Sequence, residues 1–205
     1  MLIVGLTGNI GSGKSSVARL LKEMGARVID TDQVAREVVA PGTPGLQQII
    51  DHFGTGVLNA DGALDRPKMA QIVFNDTNAL KRLNSIVHPA IRAQLLKAIA
   101  DYRDNPDAPL MVIEAPLLIE TQLFKLVDQV WMVTVDAKTQ IQRVIKRDAV
   151  TAEQVSSRLA AQMPQEDKLP YAQRVIDNSG TPEATLQQVR QIWSDAIDRS
   201  QAQAE

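Results

Sequence analysis

The sequence predicts an α/β protein with a parallel sheet covered by helices on both faces, and three observations predict it. First, short apolar runs at Leu2 to Leu6, Leu110 to Ile113 and Val130 to Val135 read as buried strands, because parallel strands enclosed on both faces are continuously apolar rather than alternating. Second, stretches with helical periodicity lie between them, and alternating strands and helices wind into a parallel sheet through crossovers. Third, Arg27 to Ile29 and Arg174 to Ile176, each followed by Asp, are weaker strand candidates that bring the sheet to five strands.

The first strand runs into Gly8-Asn9-Ile10-Gly11-Ser12-Gly13-Lys14-Ser15, which matches G-x-x-x-x-G-K-[ST] at every fixed position. The context is right: an apolar strand precedes it, and Lys14 to Met24 follows with Val17, Ala18, Leu20, Leu21 and Met24 on one helical face before a C-capping Gly25. Glycines let the backbone wrap phosphates without Cβ clashes, and backbone N–H groups at the helix N-terminus then face anionic oxygens. Lys14 is placed to reach β/γ-phosphates and the Ser15 hydroxyl to ligate Mg²⁺. Ser16 reads equally as a helix-surface residue or as a contact to the α-phosphate. The fold expected is therefore the P-loop NTPase three-layer fold with a parallel five-stranded sheet.

About eighty residues separate the second strand from the third, far more than a minimal crossover needs. That segment reads as helical, with turn signals at Pro41-Gly42-Thr43-Pro44-Gly45 and Asp61-Gly62. The expected organisation is a nucleotide-binding core (1–32, 109–137 and 172–205), a helical substrate-binding insert (33–108) and a helical, Arg- and Lys-rich lid (138–171). A final amphipathic helix from Pro182 is expected to fray over Gln201 to Glu205.

Composition narrows the function. Hydrophobic residues are 44% and charged residues 22% of 205, ordinary for a soluble globular protein. The absence of cysteine removes Zn–thiolate sites, disulfides and thiol catalysis, and suits a cytoplasmic protein. A net charge of −2 and 3% aromatics supply neither the basic field nor the stacking platforms of a nucleic-acid binder. No apolar run approaches the ~20 residues of a membrane helix, and Met1-Leu2-Ile3-Val4-Gly5 lacks the basic start of a signal peptide.

A P-loop specifies a nucleotide, not a reaction. A GTPase switch should carry N-K-x-D downstream, and the chain has none. A mechanical ATPase should end an apolar run in an acidic pair; Leu110-Met111-Val112-Ile113-Glu114 has a single carboxylate, followed by Ala115-Pro116. A small-molecule kinase needs a carboxylate to deprotonate the acceptor hydroxyl and cations that close over the transferring phosphoryl. Asp30 and Asp32 at the end of the second strand answer the first need, although Asp30-Thr31-Asp32 also reads as a helix N-cap. Arg143, Arg147 and Arg158 answer the second, although they also read as a solvated basic face; Arg143 and Arg147 are four residues apart and share a face. Asp30, Asp32 and Glu114 are each candidates to complete a Mg²⁺ shell.

The ordered set of motifs resembles the dephospho-CoA kinase family over nearly the whole length. It comprises Gly5 to Ser15, Val28-Ile29-Asp30-Thr31-Asp32 with Ala35-Arg36, His88-Pro89, Pro116-Leu117-Leu118 with Glu120, Gln140 through Arg143, Arg147-Asp148, Arg158 with Gln162, and Ile176-Asp177-Asn178 with Gly180. The resemblance implies phosphorylation of the ribose 3′-hydroxyl of dephospho-CoA by ATP with Mg²⁺, in a cytoplasmic monomer or small homo-oligomer. It implies an ATP site on Gly8 to Ser16 with Asn178 near the adenine, and Asp32 as the base. It places Arg36 beside the acceptor, the insert on CoA, and Arg143 and Arg147 in the lid.

The family often has Gly where Asn9 stands and Ala where Thr31 stands. Asn tolerates left-handed backbone, and a β-branched Thr31 leaves both carboxylates in place. His88-Pro89 reads as a pocket contact or as a helix boundary, since proline pushes its predecessor toward extended geometry. Pro116 and Leu117 read as walls of the acceptor pocket or as packing, Glu120 as a surface charge, His52 as a surface histidine and Trp131 as core. Lys14→Ala should cost turnover more than it costs acceptor binding; equal losses in kinetics and calorimetry would break that division of labour.

Overall fold

The computed structural model describes residues 1–202. The chain divides into two compact units, one made of Met1–Asp30 and the chain from Asp101 onward, the other of Thr31–Ala100.

In the first unit five parallel strands lie side by side: β1 (Leu2–Thr7), β2 (Arg27–Asp30), β3 (Leu110–Glu114), β4 (Gln129–Thr134) and β5 (Arg174–Asp177). Their order is β2-β3-β1-β4-β5, with Leu6 of β1 opposite both Glu114 of β3 and Trp131 of β4. The first strand is thus the central one, and its Ile3, Val4 and Leu6 are buried. The helix α1 (Lys14–Glu23) and the last helix, Pro182–Ala202, pack Val17, Leu21, Val189, Ile192 and Ala196 against Val4, Val112, Trp131, Val133 and Ile176. Trp131 is fully buried and its Nε1–H donates to Gln129 Oε1 at 3.0 Å, so the indole is core with its polar edge satisfied. Both edge strands spell the same tetrapeptide, Arg-Val-Ile-Asp.

Helix α1 ends as its sequence predicts. Gly25 takes φ 102°, its N–H donates to Lys22 O, and Ala26 N–H donates to Leu21 O. This double closure satisfies carbonyls that the end of the helix would otherwise orphan.

The second unit comprises α2 (Thr31–Glu37), α3 (Pro44–Phe53), α4 (Arg66–Asn75) and most of α5 (Thr77–Asp104). Val39, Ile49, Val57, Met69 and Ile86 form its core. Thr43 caps α3 by accepting from Leu46 N, and Pro44 supplies the preset φ of a first helical residue. The Asp61-Gly62 turn closes a small Leu58–Leu64 antiparallel bridge, with Gly62 at φ 80°.

One expectation changes. His88-Pro89 is not a boundary: Pro89 lies inside the single helix α5, so His88 is helical rather than extended. The apolar residues before and after the proline both bury, Ile86 against the second unit's core and Leu95 completely, and that packing carries the helix through a position that local preference would break. The 138–171 stretch is helical, in three pieces: α6 (Ala137–Asp148), α7 (Ala152–Ala160) and the one-turn α8 (Gln165–Lys168). The first break is a left-handed Ala149 at φ 52°, followed by a reciprocal capping box between Thr151 and Gln154. The last helix, α9, runs from Pro182 to Ala202, and the part of the expected fraying that falls on 203–205 lies outside the described residues.

Gly45 tests the insert's packing. A Cβ there would collide with the backbone carbonyl of Val38, which cannot rotate away. Gly45→Ala should lower stability by about 1–3 kcal/mol, read as a lower urea midpoint; an unchanged midpoint would mean that α3 slides clear of Val38 at no cost.

Candidate nucleotide and phosphoryl-transfer site

The loop between β1 and α1 is built from the sheet's centre outward. Gly13 caps α1 at φ 85°, and Ser12 N–H closes a turn onto Asn9 O at 3.0 Å. Each of the loop's three glycines is walled by a neighbour. A Cβ on Gly8 would stand 2.5 Å from Val133 O, one on Gly11 would stand 2.7 Å from Val144 Cγ2, and one on Gly13 would strike Asn178 Nδ2. The motif's glycines are therefore required by close packing as well as by backbone conformation.

Residues of the 138–171 stretch hold the loop's tip. Gln140 Nε2 donates to Ile10 O at 2.8 Å, Ile10 N–H donates to Gln162 Oε1 at 2.9 Å, and Asn9 Nδ2 donates to Met163 O at 3.0 Å. Asn9 does not use left-handed backbone here, since the positive-φ non-glycine residues are Gln122 and Ala149. Its side chain is a tether instead, and that is what the amide at this position contributes.

At the carboxyl edge of β3, Glu114 accepts from both Lys14 Nζ (2.5 Å) and Ser15 Oγ (2.7 Å). The Lys14 and Glu114 side chains are only 11% and 8% exposed, so this is a buried, charge-assisted pair. Asp30 lies opposite Glu114 in the β2–β3 register. Arg143 of α6 lines a cleft of about 450 Å³ together with Gly13, Ser16, Leu20, Asn178 and Leu186, within the size range of small-ligand pockets.

Several polar atoms here are buried without a partner among the described residues: Thr7 Oγ1, Ser12 Oγ and Arg143 Nη1. A buried guanidinium N–H beside a phosphate-type loop is the donor an anion would satisfy. Mg²⁺ fits the donor set in one way. No cluster of three or more His, Cys, Asp or Glu side chains occurs among the described residues, so Ser15 and Glu114 would share the ion with phosphate oxygens and water, as this cation prefers.

The remaining candidates fall in different places. Asp32 stands in the first turn of α2, two residues past β2, with Arg36 one turn later; both are exposed and belong to the second unit, as does His88 on α5. Arg147 is not brought to the loop. It forks onto Asp148 (Nε–Oδ1 2.7 Å, Nη2–Oδ2 3.1 Å), and Arg158 Nη1 joins the same carboxylate at 2.6 Å. The Arg147 hydrogen bond, reinforced by Arg158, holds the Asp148 carboxyl below its ordinary pKa. A depressed carboxyl pKa stabilises at neutral pH, and the clip is lost only as acid protonates Asp148 below the usual carboxylate range.

Glu120 is not a surface charge. It accepts from Met163 N–H and pairs at 2.9 Å with Lys168, whose side chain is wholly buried and whose Nζ also donates to Pro116 O at 3.0 Å. Leu117 is 38% exposed, whereas Leu118 is fully buried. Lys168 and Thr185 were invisible to sequence reasoning. The stretch around Lys168 is Gln-Glu-Asp-Lys, which looks like any solvated helix turn.

Comparison with known proteins gives a consistent result. Residues 2–183 match the dephospho-CoA kinase family. The chain is 48% identical over 194 residues to a dephospho-CoA kinase of Geobacter sulfurreducens, covering 95% of this chain and 98% of that one. It is 49% identical over 196 residues to one of Moorella thermoacetica, covering 95% and 92%. A crystal structure from Thermus thermophilus superposes with a TM-score of 0.80 at 32% identity, covering 95% of this chain and 97% of that one.

Removing one partner of the Glu120–Lys168 pair leaves the other charge without compensation. Lys168→Met should cost about 3 kcal/mol, the lower end for breaking a buried pair, because Glu120 keeps 23% of its side chain exposed. Adding Glu120→Leu should restore much of the loss. Additive losses in that double-mutant cycle would deny the coupling.

Proposed function

Because the chain belongs to the dephospho-CoA kinase family and phosphorylates dephospho-CoA, we propose that it moves the γ-phosphoryl of ATP onto the ribose 3′-hydroxyl through the residues described above. The observation that carries this reading is Glu114 bound at once to Lys14 and Ser15 beneath a fully walled phosphate loop.

In this scheme the loop amides from Gly8 to Ser16 hold the triphosphate, and Lys14 turns from Glu114 to the β/γ-oxygens. Ser15 and Glu114 would hold Mg²⁺, which would supply neutralisation of the phosphate charge. Arg143, with an N–H free beside Gly13, donates to charge that develops on the transferring group. Asp32 takes the proton of the 3′-hydroxyl; its support is that it follows the last residue of β2 by two positions, and ligands of such folds gather beyond the carboxyl ends of the strands. Arg36, one turn along α2, and His88, Pro116 and Leu117 contact the acceptor, with the 33–108 insert holding CoA.

The 138–171 stretch acts as the lid. Arg147 reaches the phosphates only by leaving Asp148, so its participation requires that clip to open as the lid closes. The reading describes a cytoplasmic enzyme, monomeric or a small homo-oligomer, and its cysteine-free composition suits that compartment.

The direct experiment is ADP release from Mg-ATP with and without dephospho-CoA, with the product read by mass spectrometry. Acceptor-dependent ADP and a product heavier by one phosphoryl group are expected. Silence from protein shown to bind ATP would overturn the proposal. Asp32→Asn should leave ATP affinity nearly intact and cut turnover by at least ~10²-fold, the low end for loss of a general base; near-normal turnover would remove Asp32 from the role.

A further inference from the structure

We infer that Asn178 is a positioning residue, not a reader of the nucleotide base: its carboxamide locks one peptide plane of the phosphate loop. The inference deepens the nucleotide-site reading above and rests on it for the identity of the ligand.

The resemblance places Asn178 near adenine, and the residue does line the cleft beside Gly13. Both ends of its side chain are nevertheless engaged by protein. Nδ2 donates to Ser12 O at 2.7 Å, and Oδ1 accepts from Thr185 Oγ1 at 2.8 Å. The orientation is dictated by the partners, because a carbonyl oxygen can only accept and so must face the amide nitrogen. The backbone is pinned too, by Asn178 N–H donating to Thr134 O at 2.9 Å at the end of β4. Asn178 is 9% and Thr185 4% exposed, and Nδ2 fills the space a Gly13 side chain would need.

The consequence follows from the planar trans peptide. In the Ser12–Gly13 unit the C=O and N–H point in opposite directions. Drawing Ser12 O onto Asn178 therefore aims Gly13 N–H the other way, away from the Asn178–Thr185 pair. Gly13 has the permissive backbone to rotate this plane, as φ 85° shows. Without a lock, the N–H that should face phosphate would be free to turn. Asn178 thus acts on phosphate affinity through Ser12 and is indifferent to which base is attached.

A ligand with phosphates and no base separates the two roles. The probes are inorganic tripolyphosphate, ATP and GTP, titrated calorimetrically with Mg²⁺ into the full-length wild type, Asn178→Leu (similar shape, no hydrogen bonds) and Thr185→Val. Both variants should weaken tripolyphosphate and ATP by a similar factor, about tenfold for Asn178→Leu, while the ratio of ATP to GTP affinity stays within about twofold of wild type. Unchanged tripolyphosphate binding in Asn178→Leu, with a collapsed ATP-to-GTP ratio, would overturn the inference and make Asn178 a base reader. If Asn178→Leu fails to fold, Thr185→Val decides alone, since its only loss is the hydroxyl that orients the amide: wild-type tripolyphosphate affinity there overturns the lock. These titrations need no acceptor, so a failure of the dephospho-CoA reading would show separately as absent product from the wild type.

Discussion

Everything in the first unit answers one constraint: a loop of backbone N–H groups must be held open toward an anion without collapsing on itself. Backbone amides bind phosphate well only when preorganised, and glycine, which permits the wrap, also permits every other conformation. The structure resolves this by walling each of the loop's three glycines with a neighbour from a different element: Val133 of β4, Val144 of α6 and Asn178 after β5. The central position of β1 makes this possible, since strands on both sides bring their carboxyl ends to the same edge. The sheet order is in this sense a consequence of what the loop needs around it.

The elements whose signals are local were legible from the sequence. The five strands, α1 with its glycine stop, and the phosphate loop each carry their signal within about ten residues: β1, β3 and β4 lie where the apolar runs predicted, and β2 and β5 where the two weaker candidates stood. Features made by distant partners were not legible. Asn9 reads as a backbone-tolerant residue until Met163 is placed beside it, 154 positions away. Glu120 reads as a surface charge until Lys168 is buried against it. At Pro89 the local rule pointed the wrong way, because the burial of α5 on either side of the proline outweighs a preference that is real in isolation.

The stretch 138–171 divides physically into parts held in different ways. Its last turn is anchored by the buried Lys168, bonded to Glu120 and Pro116 O, so the loop after β3 and the end of this stretch form one rigid patch. Gln140 near its start and Gln162 nearer its end tie it to the phosphate loop by neutral amides, which exchange readily with other partners. Between them Arg147 and Arg158 are parked on Asp148. An ion pair made with 61% and 47% exposed arginines is weak enough to be given up to a stronger anion. The bonds hardest to break thus lie at the Lys168 end of this stretch, and the easiest lie at the Asp148 clip.

The repeated Arg-Val-Ile-Asp of β2 and β5 bears on a different problem. An outermost strand offers a row of unpaired amides and carbonyls to any other chain it meets, and a long apolar one invites a stranger to add itself to the sheet. Here both outermost strands are four residues long, with a cation at one end and a carboxylate at the other. Short and charged at each end, they are poor templates for an added strand on a sheet whose central strands are largely apolar.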